Sequence, residues 1–405
     1  MIIDKRKVSK GLIGMNSKNN SSFYLIKKPA VAFILVSDIL LLLFVGLLAY
    51  YEVAPQKLLH IYYGKIFGLA GNPLPNPVLH PDNAGIISAL NITPKYDWNP
   101  NWSLSTYKKA LRQELIKIFG VHIKDKENPN QLQLTEIEGK KDGITYKKYY
   151  LIGYDGLKVP VMQFFPMDFD ANKKYAAIII FSGSGSYDQV NFEKDSYQHA
   201  AALELAKAGF LAFSMENRGM GELAYLAAHG IPFEHIDAVA HLTGGTWYGE
   251  VITDGLYLLN EVYNLNYVDK NKIGAAGVSA GGALSMFTAA IDERISAVYV
   301  QGYYGSYKTT FGKRGLHGNV NRIPGILKVA DLKDIAGLIV PRDLLIVNGL
   351  QDSFYIDAEP EYGKLKEIYK HYDAGEHVDF ANPDTKHEFT VDVAIGFFDR
   401  VFKSN

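Results

Sequence analysis

Along the chain, apolar and polar positions fall into three regimes. From residue 30 to 50 the side chains are apolar almost throughout, AVAFILVSDILLLLFVGLLAY, with Ser37 and Asp38 the notable polar exceptions. From residue 52 to about 120, prolines and asparagines interrupt the pattern (GNPLPNPVLHPDN), until Tyr107, Leu111, Leu115 and Ile118 recur on one face of a helix predicted over 106–119. This part, 52–140, reads as a linker and a helical extension. Beyond it, short apolar runs alternate with amphipathic ones. Strands are predicted at 149–154 and 158–165, joined across Asp155-Gly156 as a hairpin, and then at 176–181, 211–215, 273–278, 297–301, 343–347 and 377–380. Helices are predicted at 197–208, 248–263, 280–290, 359–372 and 391–402. Apolar strands alternating with helices imply a mostly parallel central sheet with helices on both faces. The expected fold class is α/β with an antiparallel start, over a domain at 141–405.

The first regime has the length of a membrane-crossing helix. Its fourteen Leu, Ile, Phe and Val residues contribute about −0.3 to −0.6 kcal/mol each to insertion, which outweighs about +3 kcal/mol for Asp38. Lys5, Arg6, Lys7, Lys10, Lys18, Lys27 and Lys28 precede it, whereas only Lys57 and Lys65 follow closely. The positive-inside rule then places a basic tail, 1–29, in the cytoplasm and everything after the anchor at 30–51 outside. The apolar run is too long for a signal peptide and ends without a small-x-small site, so a retained signal anchor in the cell membrane is expected. The bilayer is the expected partner of this segment.

Charge and composition remove several alternatives. Lysine plus arginine number 42 against 43 for aspartate plus glutamate, so no global field points to nucleic acid. There is no cysteine, which excludes thiol catalysis, cysteine-ligated zinc and disulfides. His229, His235 and His241 recur six apart, a spacing that fits neither a helical face nor a usual zinc motif. No cofactor or metal is expected.

Gly277-Val278-Ser279-Ala280-Gly281-Gly282 ends a predicted strand and opens a predicted helix. This is the G-x-S-x-G arrangement, in which a sharp turn exposes the serine hydroxyl. A hydroxyl is a weak nucleophile and needs a base held by an acid. Asp352, just past the strand in LLIVNGLQDSF, and His387, in the loop before the last helix, follow in the chain order Ser, acid, His. Asp357 and Glu359 are rival acids further from the strand end, and His371 and His377 are rival bases in a helix and at a strand start.

With these residues in place, the chain resembles the α/β-hydrolases, in particular the serine esterases related to dienelactone hydrolase and acetyl xylan esterase. The likeness runs over roughly 149–402 and rests on GVSAGG, ENRGMGE, AAIDERISAVYVQGYYGSY, the block from IPGIL to NGLQD, and HEF at 387–389. It implies an α/β-hydrolase fold, with Ser279 as nucleophile, Asp352 as acid and His387 as base. Ser182 stands where many relatives carry the histidine of a His-Gly loop, and the dienelactone hydrolases proper use a cysteine, which this chain lacks. Dienelactone itself is therefore not an expected substrate.

The stretch IIIFSGSGSYD at 178–188 could be taken for a phosphate loop. A dinucleotide fingerprint needs a further glycine three residues after Gly185, where Asp188 stands instead. Free backbone N–H groups at a strand end also serve an oxyanion, so the expected oxyanion donors are the N–H groups of Ala280 and Ser184. Arg218, Tyr187 and Tyr304 are the candidate substrate-binding side chains, although for Arg218 an ion pair that holds its loop is the favoured reading. A cap-like insertion that shapes the substrate pocket is expected at about 303–334, with Tyr303, Tyr304, Tyr307 and Phe311, core packing being the alternative role of those aromatics. The leading expectation is a membrane-anchored serine hydrolase cleaving small-molecule or glycan carboxylic esters. A peptidase or acyltransferase with the same triad is the alternative among enzymes, and a catalytically inactive binding module the alternative outside them.

Overall fold

The computed structural model describes residues 88–123, 132–225, 232–313, 318–355 and 357–403, all within the second of two units, Pro81–Asn405. The basic tail and the apolar segment expected to be a membrane anchor lie outside the described residues. Among those described, no helix is long and apolar enough to cross a membrane.

Among the described residues nine strands form one sheet: β1 (Leu132–Lys141), β2 (Ile144–Ile152), β3 (Lys158–Phe164), β4 (Tyr175–Phe181), β5 (Leu211–Met215), β6 (Val268–Val278), β7 (Ala297–Gln301), β8 (Asp343–Val347) and β9 (Val378–Ala381). Their spatial order is β1-β2-β3-β5-β4-β6-β7-β8-β9. The first three pair antiparallel, β3 meets β5 antiparallel, and every later pairing is parallel. The hairpin at Asp155-Gly156 forms as expected: Ile152 pairs with Lys158 and Gly156 takes φ 83°, a conformation that suits glycine.

The helices are α1 (Leu104–Phe119), α2 (Ala201–Lys207), α3 (Pro232–Thr243), α4 (Trp247–Asn264), α5 (Ala280–Ile291), α6 (Ala358–His371) and α7 (Val391–Lys403), with shorter turns between them. Strand periodicity sorts the core into two layers. On β4, Ile178 and Ile180 join a cluster with α2 and α7, whereas Ile179 and Phe181 join the larger cluster under α1, α4, α5 and α6. Because α2 and α5 lie on opposite faces, the loops that leave β4 and β6 diverge and open a crevice at the carboxyl edge. Ligands of open parallel sheets gather at such a reversal of strand order.

Some expectations need correction. β1 begins at Leu132, ahead of the domain start expected at 141; as a partly exposed edge strand it carries no clean alternation. The helix expected over 197–208 forms only over Ala201–Lys207, and α3 was not anticipated. On α1, Phe119 rather than Ile118 completes the buried stripe of Tyr107, Leu111 and Leu115.

Candidate functional site

Where β6 turns into α5, Ser279 sits at φ 60° and ψ −128°. An L residue adopts this conformation only at a cost, so the surroundings must enforce it. Two observations show how. The Ser279 N–H donates to the Gln301 carbonyl oxygen at 2.9 Å, which ties the turn to the end of β7. The next turn of α5 presses against β4: a Cβ on Gly281 would lie 2.1 Å from the Phe181 carbonyl oxygen.

The loops after β8 and before α7 bring an acid and a base together. His387 Nδ1 lies 2.7 Å from Asp352 Oδ2, and the other carboxylate oxygen accepts the Phe354 N–H at 3.0 Å. A carboxylate can only accept, so Nδ1 carries the proton and Nε2 presents its lone pair. The Asp352 side chain is 1% exposed and that of His387 22%. Phe354 flanks the imidazole with ring centroids 5.0 Å apart, and Tyr197 lies parallel to it at 6.3 Å. Gly302 (φ 60°) passes so close that a Cβ there would lie 3.0 Å from His387 Cε1 and 3.3 Å from Asp352 Oδ2. The base-bearing loop is fastened by Phe389 N–H to Tyr197 O (2.7 Å) and by Thr390 N–H to Gln301 Oε1 (2.7 Å). Gln301 thus anchors both the Ser279 turn and the His387 loop.

The rival acids and bases lie elsewhere. Asp357 accepts from the Thr310 hydroxyl (2.8 Å), His377 pairs with Asp343 (3.1 Å), and His371 packs edge-on to Trp98 (5.4 Å). Glu359 is exposed on α6.

After β4, alternate backbone N–H groups of the loop that raised the phosphate question are engaged. Gly183 N–H donates to Gln198 Oε1 (2.6 Å), Gly185 N–H to Met220 Sδ (3.3 Å) and Tyr187 N–H to Glu216 Oε1 (3.1 Å). Between them, the N–H groups of Ser184 and Ser186 have no acceptor among the described residues, and of the two only Ser184 lines the cavity described next. Ala280, at the first position of α5, has none within its helix either, as helix geometry requires.

Ser184, Ser279 and Ala280 line one cavity of about 100 Å³. Its other walls are Met220, Phe233, Trp247 and Tyr303, closed by Gly318, Val320 and Asn321 from the expected cap region. Larger grooves exist, one of about 600 Å³ beside Tyr263 and Arg294, but Ser279, Asp352 and His387 do not line it.

Beneath the loops lies Glu216, fully buried and, among the described residues, without a cationic partner in hydrogen-bond contact. It accepts from the N–H groups of Tyr187 and Glu222, the latter at 3.2 Å, and so joins the loops after β4 and β5. Burial pushes its carboxyl up to about 7, against the backbone donors that favour the ionised form.

The three candidate substrate-binding side chains are not among those lining the cavity, and Arg218 makes the loop-holding ion pairs that its sequence context favours. Arg218 is buried in ion pairs with Asp254 (2.7 Å) and Asp155 (2.7 Å). Tyr187 is buried with its hydroxyl on Glu222 (2.8 Å). Tyr304 is buried with its hydroxyl on the Glu361 carbonyl (3.3 Å), whereas its neighbour Tyr303 lines the cavity. Their positions in the chain indicated the right loops but not which side of the backbone each ring takes. Met220 and Asn321 lie in the ENRGMGE loop and the cap-like insertion, where nothing singles out their side chains; Trp247 and Phe233 lie outside the stretches the sequence picks out, and only Thr246, whose side chain caps α4 by accepting from Gly249 N–H (3.0 Å), offers a local signal for one of them. Among the described residues no group of His, Asp or Glu could hold a metal ion.

A strained serine and two unengaged backbone N–H groups line one cavity, and a hydrogen-bonded carboxylate–imidazole pair is held on loops tied to the same strand end; these are parts that nucleophilic acyl transfer uses. Residues 120–310 match the acetyl xylan esterase family (AXE1). The Bacillus subtilis protein YtaP, assigned as a hydrolase, is 28% identical over 151 residues, 37% of this chain and 49% of its own length, so the match spans about half of that curated relative. A Bacteroides fragilis structure assigned as an acetyl xylan esterase superposes with a TM-score of 0.66 at 15% identity, covering 81% of this chain and 96% of that one. Acetyl xylan esterase 1 from a Thermoanaerobacterium species gives 0.52 at 20% identity, covering 77% and 95%.

Proposed function

From a chain that resembles the acetyl xylan esterases in sequence over residues 120–310 and in fold, we propose a serine hydrolase that cleaves short-acyl carboxylic esters. The observation that carries this reading is the 2.7 Å contact between His387 Nδ1 and Asp352 Oδ2, made by the two loops that border the Ser279 turn. In the proposed reaction His387 Nε2 takes the Ser279 proton as the oxygen attacks the ester carbonyl, and Asp352 stabilises the imidazolium. The Ala280 and Ser184 N–H groups receive the oxyanion; each such donor is worth roughly 3 kcal/mol in the transition state. His387 then protonates the departing alcohol, and water repeats the sequence on the acyl-enzyme. Glycan esters are the proposed natural class, by analogy with the relatives' names, and the segment 30–51 the proposed anchor that presents the enzyme outside the cytoplasm.

A fluorophosphonate probe tests the reading on the full-length chain. Labelling of the wild type that is lost in Ser279→Ala supports it, together with release of acetate from acetylated sugars. Absence of labelling in a folded wild type rejects the enzyme, and faster cleavage of peptide amides than esters favours the peptidase alternative.

A further inference from the structure

The cavity beside Ser279 holds a polar group that the proposed chemistry does not use. Asn321 closes it from the short turn Asn319–Asn321, and its Oδ1 accepts the Tyr248 hydroxyl at 2.8 Å. Tyr248 is fully buried, its ring set edge-on against Trp247 (5.2 Å) and Phe287 (5.4 Å), so the position of its hydroxyl oxygen is fixed by packing. An amide whose oxygen is committed on one side presents its NH₂ group on the other. Asn321 Nδ2 has no acceptor among the described residues. The indole N–H of neighbouring Trp247, by contrast, is already given to the Arg218 carbonyl oxygen at 2.8 Å.

Which half of an ester enters this cavity follows from who lines it. The proposed oxyanion donors, Ala280 and Ser184, are in its wall; His387, which must reach the leaving oxygen, is not. The cavity therefore receives the acyl group, and its walls of Met220, Phe233, Trp247 and Val320 are mostly carbon. A plain alkyl acyl group in that space would strip Asn321 Nδ2 of water and offer it no acceptor. A site with a fixed donor rejects an occupant that leaves the donor unpaired.

Resting on the esterase reading above, we infer that Asn321 is a specificity residue that selects short acyl groups bearing an acceptor oxygen near the carbonyl, such as glycolyl, lactyl or methoxyacetyl, over hydrocarbon acyl groups of the same size. Tyr248 is the positioning residue that sets the amide's orientation.

The test compares 4-nitrophenyl methoxyacetate with 4-nitrophenyl butyrate, which differ by one oxygen in place of a methylene, on the full-length chain. Each kcat/KM is divided by the ester's own hydroxide-catalysed rate. The wild type is expected to favour methoxyacetate by about 10- to 100-fold. Asn321→Leu is expected to bring the ratio near one, and Tyr248→Phe to lower it part-way by freeing the amide to turn. A wild-type ratio near one overturns the inference, as does a ratio that neither variant moves. An equal loss on both esters in Asn321→Leu also overturns it, because it would make the amide an oxyanion donor instead. If Asn321→Leu does not fold, the Tyr248→Phe ratio decides. Fluorophosphonate labelling of Ser279 separates the two levels: without it the esterase reading itself fails, and with it a failed ratio counts against Asn321 alone.

Discussion

Asp352 and His387, 35 positions apart in the chain, meet at 2.7 Å while Asp352 remains almost wholly buried. Asp352→Asn keeps the shape but presents an amide that can donate to Nδ1, which stabilises the wrong imidazole tautomer. The expected result is a fall in kcat on the order of 10⁴ with little change in KM. Steady-state kinetics on a short ester, with a thermal melt to show that the fold is retained, checks it.

Gly281→Ala is expected to damage both the fold and the reaction. Its Cβ would lie 2.1 Å from the Phe181 carbonyl oxygen, so β4 and α5 must separate and carry the Ser279 turn with them. Overpacking of this kind costs about 1–3 kcal/mol. Urea denaturation should show the loss, and the residual kcat should fall further than stability alone explains.

Glu216 makes stability depend on pH in a stated direction. Its carboxyl ionises near its ordinary 4.5 in the unfolded chain and near 7 in the folded one, so the folded state holds the proton more tightly. The associated stability is fully present below pH 4.5 and is lost as pH rises through 7, by up to about 3 kcal/mol. Nearby Asp188 acts in the same sense, adding a like charge. Glu216→Gln should remove this slope. Denaturation curves from pH 5 to 8 would show the wild type losing stability relative to the variant, and parallel curves would contradict the assignment.

Arg218→Ala leaves Asp254, 1% exposed, with no cation paired to it among the described residues. Breaking a buried pair by removing one partner costs about 3–5 kcal/mol. A lower melting temperature is therefore expected. A rise in KM at unchanged stability would favour the substrate-binding role for Arg218 over the ion-pair one.

The elbow around Ser279 is legible because everything that makes it is local: an apolar strand, a run of glycines and a small-residue helix lie within one stretch of chain. The central strands are legible for the same reason, since burial on both faces leaves uninterrupted apolar runs. β1 and α3 are not, because an edge strand such as LQLTEIEGKK and a helix such as PFEHIDAVAHLT, with Val239 and Leu242 exposed, present no clean period. Side-chain direction is harder still. Tyr303 and Tyr304 are adjacent, and only the path of the backbone after β7 decides that the first reaches the cavity and the second the Glu361 carbonyl. Asn321 sits in a polar run, GNVNR, where nothing local distinguishes it; its relation to Tyr248 spans 73 positions.

The segment upstream of β1 bears on how a catalytic fragment should be cut. Lys95 and Tyr96 donate backbone N–H groups to Lys328 and Val329, and α1 buries Tyr107, Leu111, Leu115 and Phe119 in the same core as α4 and α5. Each of those four side chains contributes roughly 2 kcal/mol by leaving water. A fragment starting at the first strand would bare the floor they cover and tend to aggregate, whatever the state of its active site. The useful boundary for expression lies before Lys95, well ahead of the place where the strand pattern begins.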